Sequence, residues 1–208
     1  MKSLWLFSLL AVSSLLNAAE SALPAKAPCC TTNVLDHGRF SDTSLYQLDS
    51  TWTSATGKKL RMGEFKGQVQ VVTMFFARCE VACPILIHDM KCIEAALPAT
   101  LRTNVGFLLV SFDSERDTPE ALHAYSQRVE LDTNRWTLLR SSPDDVLEFA
   151  ALLGIKFKKD SRGQFAHSNV ITVLNAAGEI VFQQIGLNQD IQPTLKAIVT
   201  AAYERQRP

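Results

Sequence analysis

The sequence predicts an α/β fold in which helices cover a central mixed sheet, with a short hairpin in front of it. One observation is the alternation of strand-like apolar runs and helix-like periodic stretches between Gln68 and Leu153, which is typical of parallel strands joined by helices. The other is a pair of apolar runs around a turn between Asn169 and Gly186, followed by a last helical stretch. Strands joined by a tight hairpin pair antiparallel, so we expect a mixed sheet.

The composition excludes several classes of function. The chain has 208 residues, which suits one domain plus a targeting segment. Basic and acidic side chains both number 21, so no excess charge favours nucleic acid or anionic lipid as a partner. The five cysteines are too few for a disulfide scaffold at this length, and their odd number leaves at least one unpaired. The composition therefore favours a working thiol site.

The first forty residues predict an export signal and a tether. Lys2 precedes an apolar stretch, Leu4–Leu16, and small residues permit cleavage after Ala19. The stretch is shorter than the roughly 20 residues of a transmembrane helix, so we expect a signal peptide at residues 1–19, with a membrane anchor as the alternative if it stays uncleaved. Residues 20–40 contain Ala and Pro without periodicity and predict a flexible tether. Residues 41–208 then form the domain, and export places its cysteines in an oxidising compartment.

Two short strands are predicted between Ser44 and Glu64. Apolar residues stand on both sides of the turn Ser54–Gly57, a pattern typical of a hairpin. They are Leu45, Leu48 and Trp52 before the turn, and Leu60 and Met62 after it.

A buried strand followed by a helix comes next. The run that begins at Gln68 is rich in Val and Phe, as in a strand buried on both faces. It ends in Cys79 and Cys83, and a helical stripe follows. The stripe consists of Leu86, Met90, Ile93 and Leu97.

Two further strand and helix pairs complete the alternating part. Val105–Phe112 predicts a strand, and either Asp117 or Thr118 can cap the next helix, with Pro119 near its first position; we assign the cap to Asp117. Trp136–Leu139 predicts a short strand, and Ser142-Pro143 opens a helix in the same manner. The expected buried stripes are Leu122, Tyr125 and Val129 in the first helix, and Val146, Phe149, Ala150 and Leu153 in the second.

The C-terminal part predicts a hairpin around Asn175–Gly178 and a helix from about Pro193. That helix would be buried through Leu195, Ile198, Val199 and Ala202. A strand that runs through a cysteine pair into a helix, within this order of elements, looks like a thioredoxin-like fold.

The two cysteines at the strand–helix junction are the candidates for chemistry. If Cys83 lies in the first helical turn, its sulfur and that of Cys79 can face the same side. A helix N-terminus favours thiolates, and thiolates both bind soft metals such as Cu(I) and attack disulfides. The spacing alone leaves a metal site, a redox pair and a plain structural disulfide open.

The chain resembles the Sco/SenC family of copper-handling proteins from about Leu45 to its last helix. Four motifs in the family's order carry the resemblance. They are Cys79-Glu-Val-Ala-Cys83-Pro84, Val110-Ser-Phe-Asp-Ser-Glu-Arg-Asp-Thr-Pro-Glu120, Trp136-Thr-Leu-Leu-Arg-Ser-Ser-Pro143 and Ala166-His167-Ser168.

This resemblance implies a thioredoxin-like fold in which Cys79, Cys83 and His167 bind one copper ion. Two thiolates suit Cu(I), and an imidazole lets Cu(II) be tolerated. The implied function is that of a periplasmic copper chaperone for the binuclear copper centre of cytochrome c oxidase. The expected partners are the oxidase subunit that holds this centre or other copper chaperones. The alternative is a thiol–disulfide oxidoreductase in which Cys79 and Cys83 form the redox pair.

Two residues near the candidate site need separate expectations. Asp113 follows the strand expected beside the one that leads to Cys79. It could therefore orient His167, or tune the copper without binding it directly. It could equally serve only the hydrogen bonds of its own loop with Arg116. Glu80 departs from the family, whose members commonly have Pro after the first cysteine. Its carboxylate could raise the pKa values of the thiols or alter copper release.

The remaining cysteines, histidines and methionines are weaker candidates. Cys29 and Cys30, on the expected tether, could collect copper, relay electrons or link chains, or they could be incidental. Cys92 is expected to be a packed core thiol. We expect His88 and His123 on helix surfaces, His37 near the tail, and Met62, Met74 and Met90 in the core.

Overall fold

The computed structural model describes residues 40–204. Within them, seven strands form one sheet in the order β2-β1-β5-β4-β3-β8-β9, and two more form a separate small sheet, β6-β7. The strands of the large sheet are β1 Trp52–Ser54, β2 Lys59–Leu60, β3 Val69–Phe75, β4 Val105–Ser111, β5 Trp136–Arg140, β8 Val170–Leu174 and β9 Ile180–Ile185. Those of the small sheet are β6 Phe157–Lys159 and β7 Phe165–His167.

The pairing of the large sheet is mixed, as predicted. β3, β4 and β5 run parallel, whereas β8 is antiparallel to both β3 and β9. The expected hairpin at the start of the domain is present as β1 and β2. It is shorter than its apolar pattern suggested, because Leu45–Gln47 and Met62–Phe65 form 3₁₀ turns instead of strand. The fold is thioredoxin-like.

Four α-helices of the described part pack on this sheet, and their starts follow from their caps. Thr118 Oγ1 accepts a hydrogen bond from Ala121 N at 3.2 Å, and Ser142 does the same for its own helix. The prediction that Asp117 caps the helix is therefore wrong: Thr118 is the N-cap, and the Asp117 side chain turns inward. The helices are α1 Ala82–Ala96, α2 Pro119–Arg128, α3 Pro143–Leu152 and α4 Gln192–Glu204.

The core lies on both faces of the large sheet. Every residue of β3 is buried, including Gln70 and Thr73, which explains why most of its side chains are apolar. The predicted stripe of α1 is also fully buried, and each such side chain contributes roughly 1.5–3 kcal/mol by leaving water. The carboxyl end of β3 is thereby held in a rigid position, and that end leads directly to Cys79.

Several predictions lie outside the described residues. These are the signal peptide at residues 1–19, nearly all of the tether at residues 20–40, and the side chains of Cys29, Cys30 and His37. Within residues 40–204, no helix is long and apolar enough to cross a membrane.

Candidate metal centre

Three side chains predicted as metal ligands meet where β3 passes into α1. Cys79 lies in the connecting loop and Cys83 in the first turn of α1, while His167 ends β7. Their ligand atoms all lie within 4.8 Å of one another. The closest approach is 3.6 Å, between Cys83 Sγ and His167 Nε2. Two sulfurs and an imidazole nitrogen in this arrangement can hold a single soft metal ion.

The two thiols differ strongly in acidity. A hydrogen bond from the Cys83 thiol lowers the pKa of Cys79 most, and the backbone N–H groups of Cys83 and Val81 act in the same direction. The Cys83 amide lies 3.3 Å from Cys79 Sγ. The same hydrogen bond, together with burial, raises the pKa of Cys83. These directions favour the thiolate on the half-buried Cys79 and the thiol on the fully buried Cys83.

His167 presents Nε2 to the sulfurs because its other nitrogen is engaged. Nδ1 lies 3.0 Å from the carbonyl oxygen of Ser168 and donates its proton there, which leaves Nε2 free to bind a metal. Burial disfavours the charged ring, but the contact with the Cys79 thiolate and the Ser168 carbonyl outweigh it, so the pKa of His167 is raised. Phe76 and Phe112 pack against the ring and fix its position.

The small β6–β7 sheet that carries His167 was missed by sequence reasoning. Phe157 stands opposite His167 in its register, and the turn is closed by the Asp160 carboxylate, which accepts hydrogen bonds from Arg162 N and Gln164 N. A signal was present in the sequence: the alternation Phe157-Lys-Lys and Phe165-Ala-His on either side of Asp160-Ser-Arg-Gly163. Its strands are too short to attract notice by hydrophobicity alone.

Asp113 reaches the histidine hairpin through an intermediate residue. Its carboxylate is 1% exposed and forms an ion pair with Arg116, and Arg116 donates to the carbonyl oxygen of Gly163 in the β6–β7 turn. Direct orientation of His167 by Asp113 is not seen, since His167 Nδ1 faces Ser168. The loop hydrogen bonds expected as the alternative are present, and they extend to the hairpin. An influence of Asp113 on the metal through this link stays a prediction.

Asp117 supports the cysteine loop, which sequence reasoning did not foresee. Its Oδ2 accepts hydrogen bonds from Ala77 N at 3.0 Å and from Ser111 Oγ at 2.5 Å. Burial raises the pKa of this carboxyl group. Ala77 precedes Cys79 by two residues, so Asp117 fixes the backbone at the point where the loop leaves β3.

The thiolate is accessible from two open clefts that meet at Cys79. They have volumes of about 610 and 550 Å³, and both are lined by Cys79, Glu80 and Gln164. Glu80 is exposed, and its neighbour Val81 is 72% exposed. The residue that departs from the family pattern therefore lies at the mouth of the site.

The weaker candidates divide into correct and incorrect predictions. Met62, Met74 and Met90 are buried in the core as expected, and His123 lies on the surface beside Gln127. The prediction that Cys92 is a packed core thiol is wrong. Its side chain is only partly buried, because it lies on the solvent side of α1 with Sγ 3.6 Å from Nε2 of the exposed His88.

Comparison with known proteins agrees with the resemblance in the sequence. The family model described as SCO1/SenC matches residues 41–202. One curated relative, named "Putative copper-binding protein" from Stutzerimonas stutzeri, is 32% identical over 60 residues. That match spans 29% of this chain and 29% of the relative.

Solved structures share the fold over most of this chain. A SCO1/SenC family lipoprotein from Bacillus anthracis str. Ames superposes with a TM-score of 0.68 at 23% identity, covering 78% of this chain and 99% of that one. Arabidopsis thaliana ScoI with copper bound superposes with a TM-score of 0.63 at 18% identity, covering 74% of this chain and 96% of that one. BsSco superposes with a TM-score of 0.65 at 23% identity, covering 74% of this chain and 91% of that one. It is described with a disulfide switch and as a member of the Sco family of cytochrome c oxidase assembly proteins.

Proposed function

This chain belongs to the SCO1/SenC family, and on that premise we propose that it is an exported copper chaperone. It binds copper through Cys79, Cys83 and His167 and delivers the ion to the binuclear copper centre of a cytochrome c oxidase. Copper is the cargo that the protein carries, and the protein catalyses no covalent reaction in this role.

The convergence of the three ligand atoms within 4.8 Å carries the proposal. Thiolates favour Cu(I), and the added imidazole keeps Cu(II) bound as well. His167 lies 84 positions beyond Cys83 in the chain, so only the folded protein assembles this set. Copper-bound ScoI, which has the same fold, supports copper as the metal.

The exposure of the site suits delivery by ligand exchange. Cys79 opens onto both clefts, whereas Cys83 is buried and His167 is held by aromatic rings. A partner's ligand can therefore replace Cys79 first while the other two still hold the ion. The exposed Glu80 and Val81 then belong to the surface that this partner contacts.

An exported location and an oxidase partner complete the proposal. The N-terminal pattern of the sequence supports export, and so does a family lipoprotein with the same fold. The description of BsSco as a member of a family of oxidase assembly proteins supports the partner.

Copper transfer tests this function directly. The reduced, copper-loaded protein is mixed with the purified, metal-free, reduced copper domain of an oxidase subunit, the two proteins are separated, and the copper bound to each is measured. We expect the centre to form and copper to leave this protein. Cys83→Ser, loaded under the same conditions, serves as the control and should transfer little. Copper that remains on the loaded protein after mixing would contradict delivery.

The different acidities of the two cysteines favour a second function, that of a thiol–disulfide oxidoreductase. The Cys79 thiolate attacks one sulfur of a partner disulfide, forming a mixed disulfide and releasing the other partner sulfur, which takes a proton. Cys83 then loses its proton to solvent and attacks Cys79 Sγ, releasing the second partner thiol. The partner is reduced by two electrons, and Cys79 and Cys83 are oxidised to a disulfide. A copper centre built on cysteines needs such a reduction before it can accept copper.

Trapping of the mixed disulfide tests the second function. With Cys83→Ser, the complex through Cys79 cannot be resolved and should accumulate with an oxidised copper domain. With Cys79→Ser, the buried Cys83 should trap much less. If neither variant yields a mixed disulfide, the oxidoreductase function is rejected and the chaperone proposal is unaffected.

A further inference from the structure

A second pair of soft metal ligands lies on the outer side of α1, away from the site described above. Cys92 Sγ is 3.6 Å from His88 Nε2. The two residues are one helical turn apart, at i and i+4, so the helix itself holds their side chains next to each other. His88 is exposed and Cys92 partly buried, which gives an ion free access from solvent.

The contact between these side chains has little value for stability. A thiol is a weak hydrogen-bond donor and acceptor, and a hydrogen bond on an exposed helix surface competes with water. Neither residue contributes to the buried stripe of α1, which is formed by other positions. The thiol and the imidazole are therefore available to bind a ligand, because the fold does not depend on their contact.

The pair is separate from the three-ligand site. Cys83 and Cys92 are nine positions apart on α1, which corresponds to roughly 13 Å along the helix axis at 1.5 Å per residue. One ion cannot bridge that distance. Lys91, the cation beside the pair, is engaged by the carbonyl oxygen of Val129 at 2.5 Å.

We propose that His88 and Cys92 form an auxiliary Cu(I) site. A thiolate and an imidazole suit Cu(I), which accepts such a pair in near-linear geometry. Zn²⁺ instead requires about four ligands, and among residues 40–204 no third His, Cys, Asp or Glu joins this pair. Binding places Cu(I) between Sγ and Nε2 and releases the thiol proton of Cys92 to solvent. The copper keeps its oxidation state throughout.

Titration of a full-length variant that lacks the other candidate ligands tests this site. Cys29, Cys30, Cys79 and Cys83 are replaced by Ser and His167 by Ala, and Cu(I) is added in competition with a chromophoric Cu(I) chelator. We expect one Cu(I) per chain to be retained. Its X-ray absorption edge should be typical of Cu(I) held near-linearly by one sulfur and one nitrogen. Zn²⁺ at the same concentration should not be retained.

Single replacements in this background identify the ligands. Cys92→Ser and His88→Ala should each weaken Cu(I) binding by roughly tenfold or more, whereas His123→Ala, which removes an exposed helical histidine beside Gln127, should not. Failure of the background variant to retain Cu(I) would overturn the proposal, as would an affinity unchanged by His88→Ala. Circular dichroism establishes that each variant is folded. If the background variant is unfolded, Cys92→Ser and His88→Ala are made in the wild-type chain instead. Each should then lower the number of Cu(I) ions bound per chain from two to one, and an unchanged number would overturn the proposal.

This outcome is independent of the proposed function. The titration is made without the three-ligand site, so its result is the same whether or not the protein delivers copper. Conversely, Cu(I) retained by His88 and Cys92 would not show delivery to an oxidase.

Discussion

Arg116 is expected to hold the hairpin that carries His167, and its replacement by Ala measures that role. The guanidinium pairs with the buried Asp113 carboxylate and donates to the Gly163 carbonyl. Removing one partner of a buried ion pair costs about 3–5 kcal/mol. Because the Arg116 side chain is 24% exposed, solvent screening reduces the expected loss to about 2–4 kcal/mol.

Urea unfolding of the reduced, copper-free protein, followed by circular dichroism, measures this loss. Arg162→Ala is the matched control, since its side chain lies in the same hairpin but is 84% exposed, and its ion pair within residues 40–204 is with Asp160 at 3.4 Å. It should change the free energy of unfolding far less than Arg116→Ala does, since exposed ion pairs contribute little. Equal free energies of unfolding for the two variants would refute the role of Arg116.

The same variants connect stability to the metal. If Arg116 positions His167 through the hairpin, Arg116→Ala should weaken copper binding by roughly tenfold or more, while Arg162→Ala should leave it unchanged. Arg116→Lys should fall between wild type and Ala, because an ammonium keeps the charge but cannot reproduce the planar fork. Unchanged copper affinity in a destabilised Arg116→Ala protein would limit Arg116 to a structural role.

Cys79, Asp117 and Phe112 offer three further tests. The pKa of Cys79 lies far below its ordinary value, so the rate of its alkylation by iodoacetamide, followed by peptide mass spectrometry, should stay nearly constant from about pH 8 to pH 6 in the folded protein. In the urea-unfolded protein the rate should fall steeply over the same pH range. The same pH dependence in both states would argue against a thiolate. Asp117→Ala leaves the Ala77 amide unpaired and should cost about 2–3 kcal/mol in urea unfolding, with Asp117→Asn costing less. Since burial raises the pKa of Asp117, wild type should gain stability over Asp117→Asn as the pH falls below neutral, and the opposite slope would contradict this. Phe112→Ala should cost about 3–5 kcal/mol and weaken copper binding, because Phe112 packs against His167; copper affinity equal to wild type would show that the ring needs no such support.

The hydrophobic pattern predicted most of the fold because the central strands β3, β4 and β8 of the large sheet are buried on both faces. The mostly apolar runs at β3 and β4 and the buried stripe of α1 are compatible with few other arrangements. The prediction was wrong where a local choice depended on tertiary contacts. Asp117 and Thr118 are equally suitable caps by composition, and Asp117 is drawn inward by Ala77 and Ser111.

The site was less predictable than the fold. Cys79 and Cys83 are close in sequence and were found from their position before a helix, but no local pattern brings His167 to them. Family resemblance supplied that residue, and the reason for its position is the β6–β7 hairpin, held by Arg116. Cys92 was misjudged because apolar neighbours in sequence do not show which side of a helix faces solvent.

Copper titration of the reduced protein tests the three-ligand site most directly. Wild type, Cys79→Ser, Cys83→Ser and His167→Ala are compared in competition with a chelator, in a background of Cys92→Ser that excludes the auxiliary pair, with His123→Ala as the control. The site described here predicts that each of the three replacements weakens copper binding by at least roughly tenfold and that His123→Ala does not. Unchanged stoichiometry and affinity in His167→Ala would contradict a site completed by this histidine.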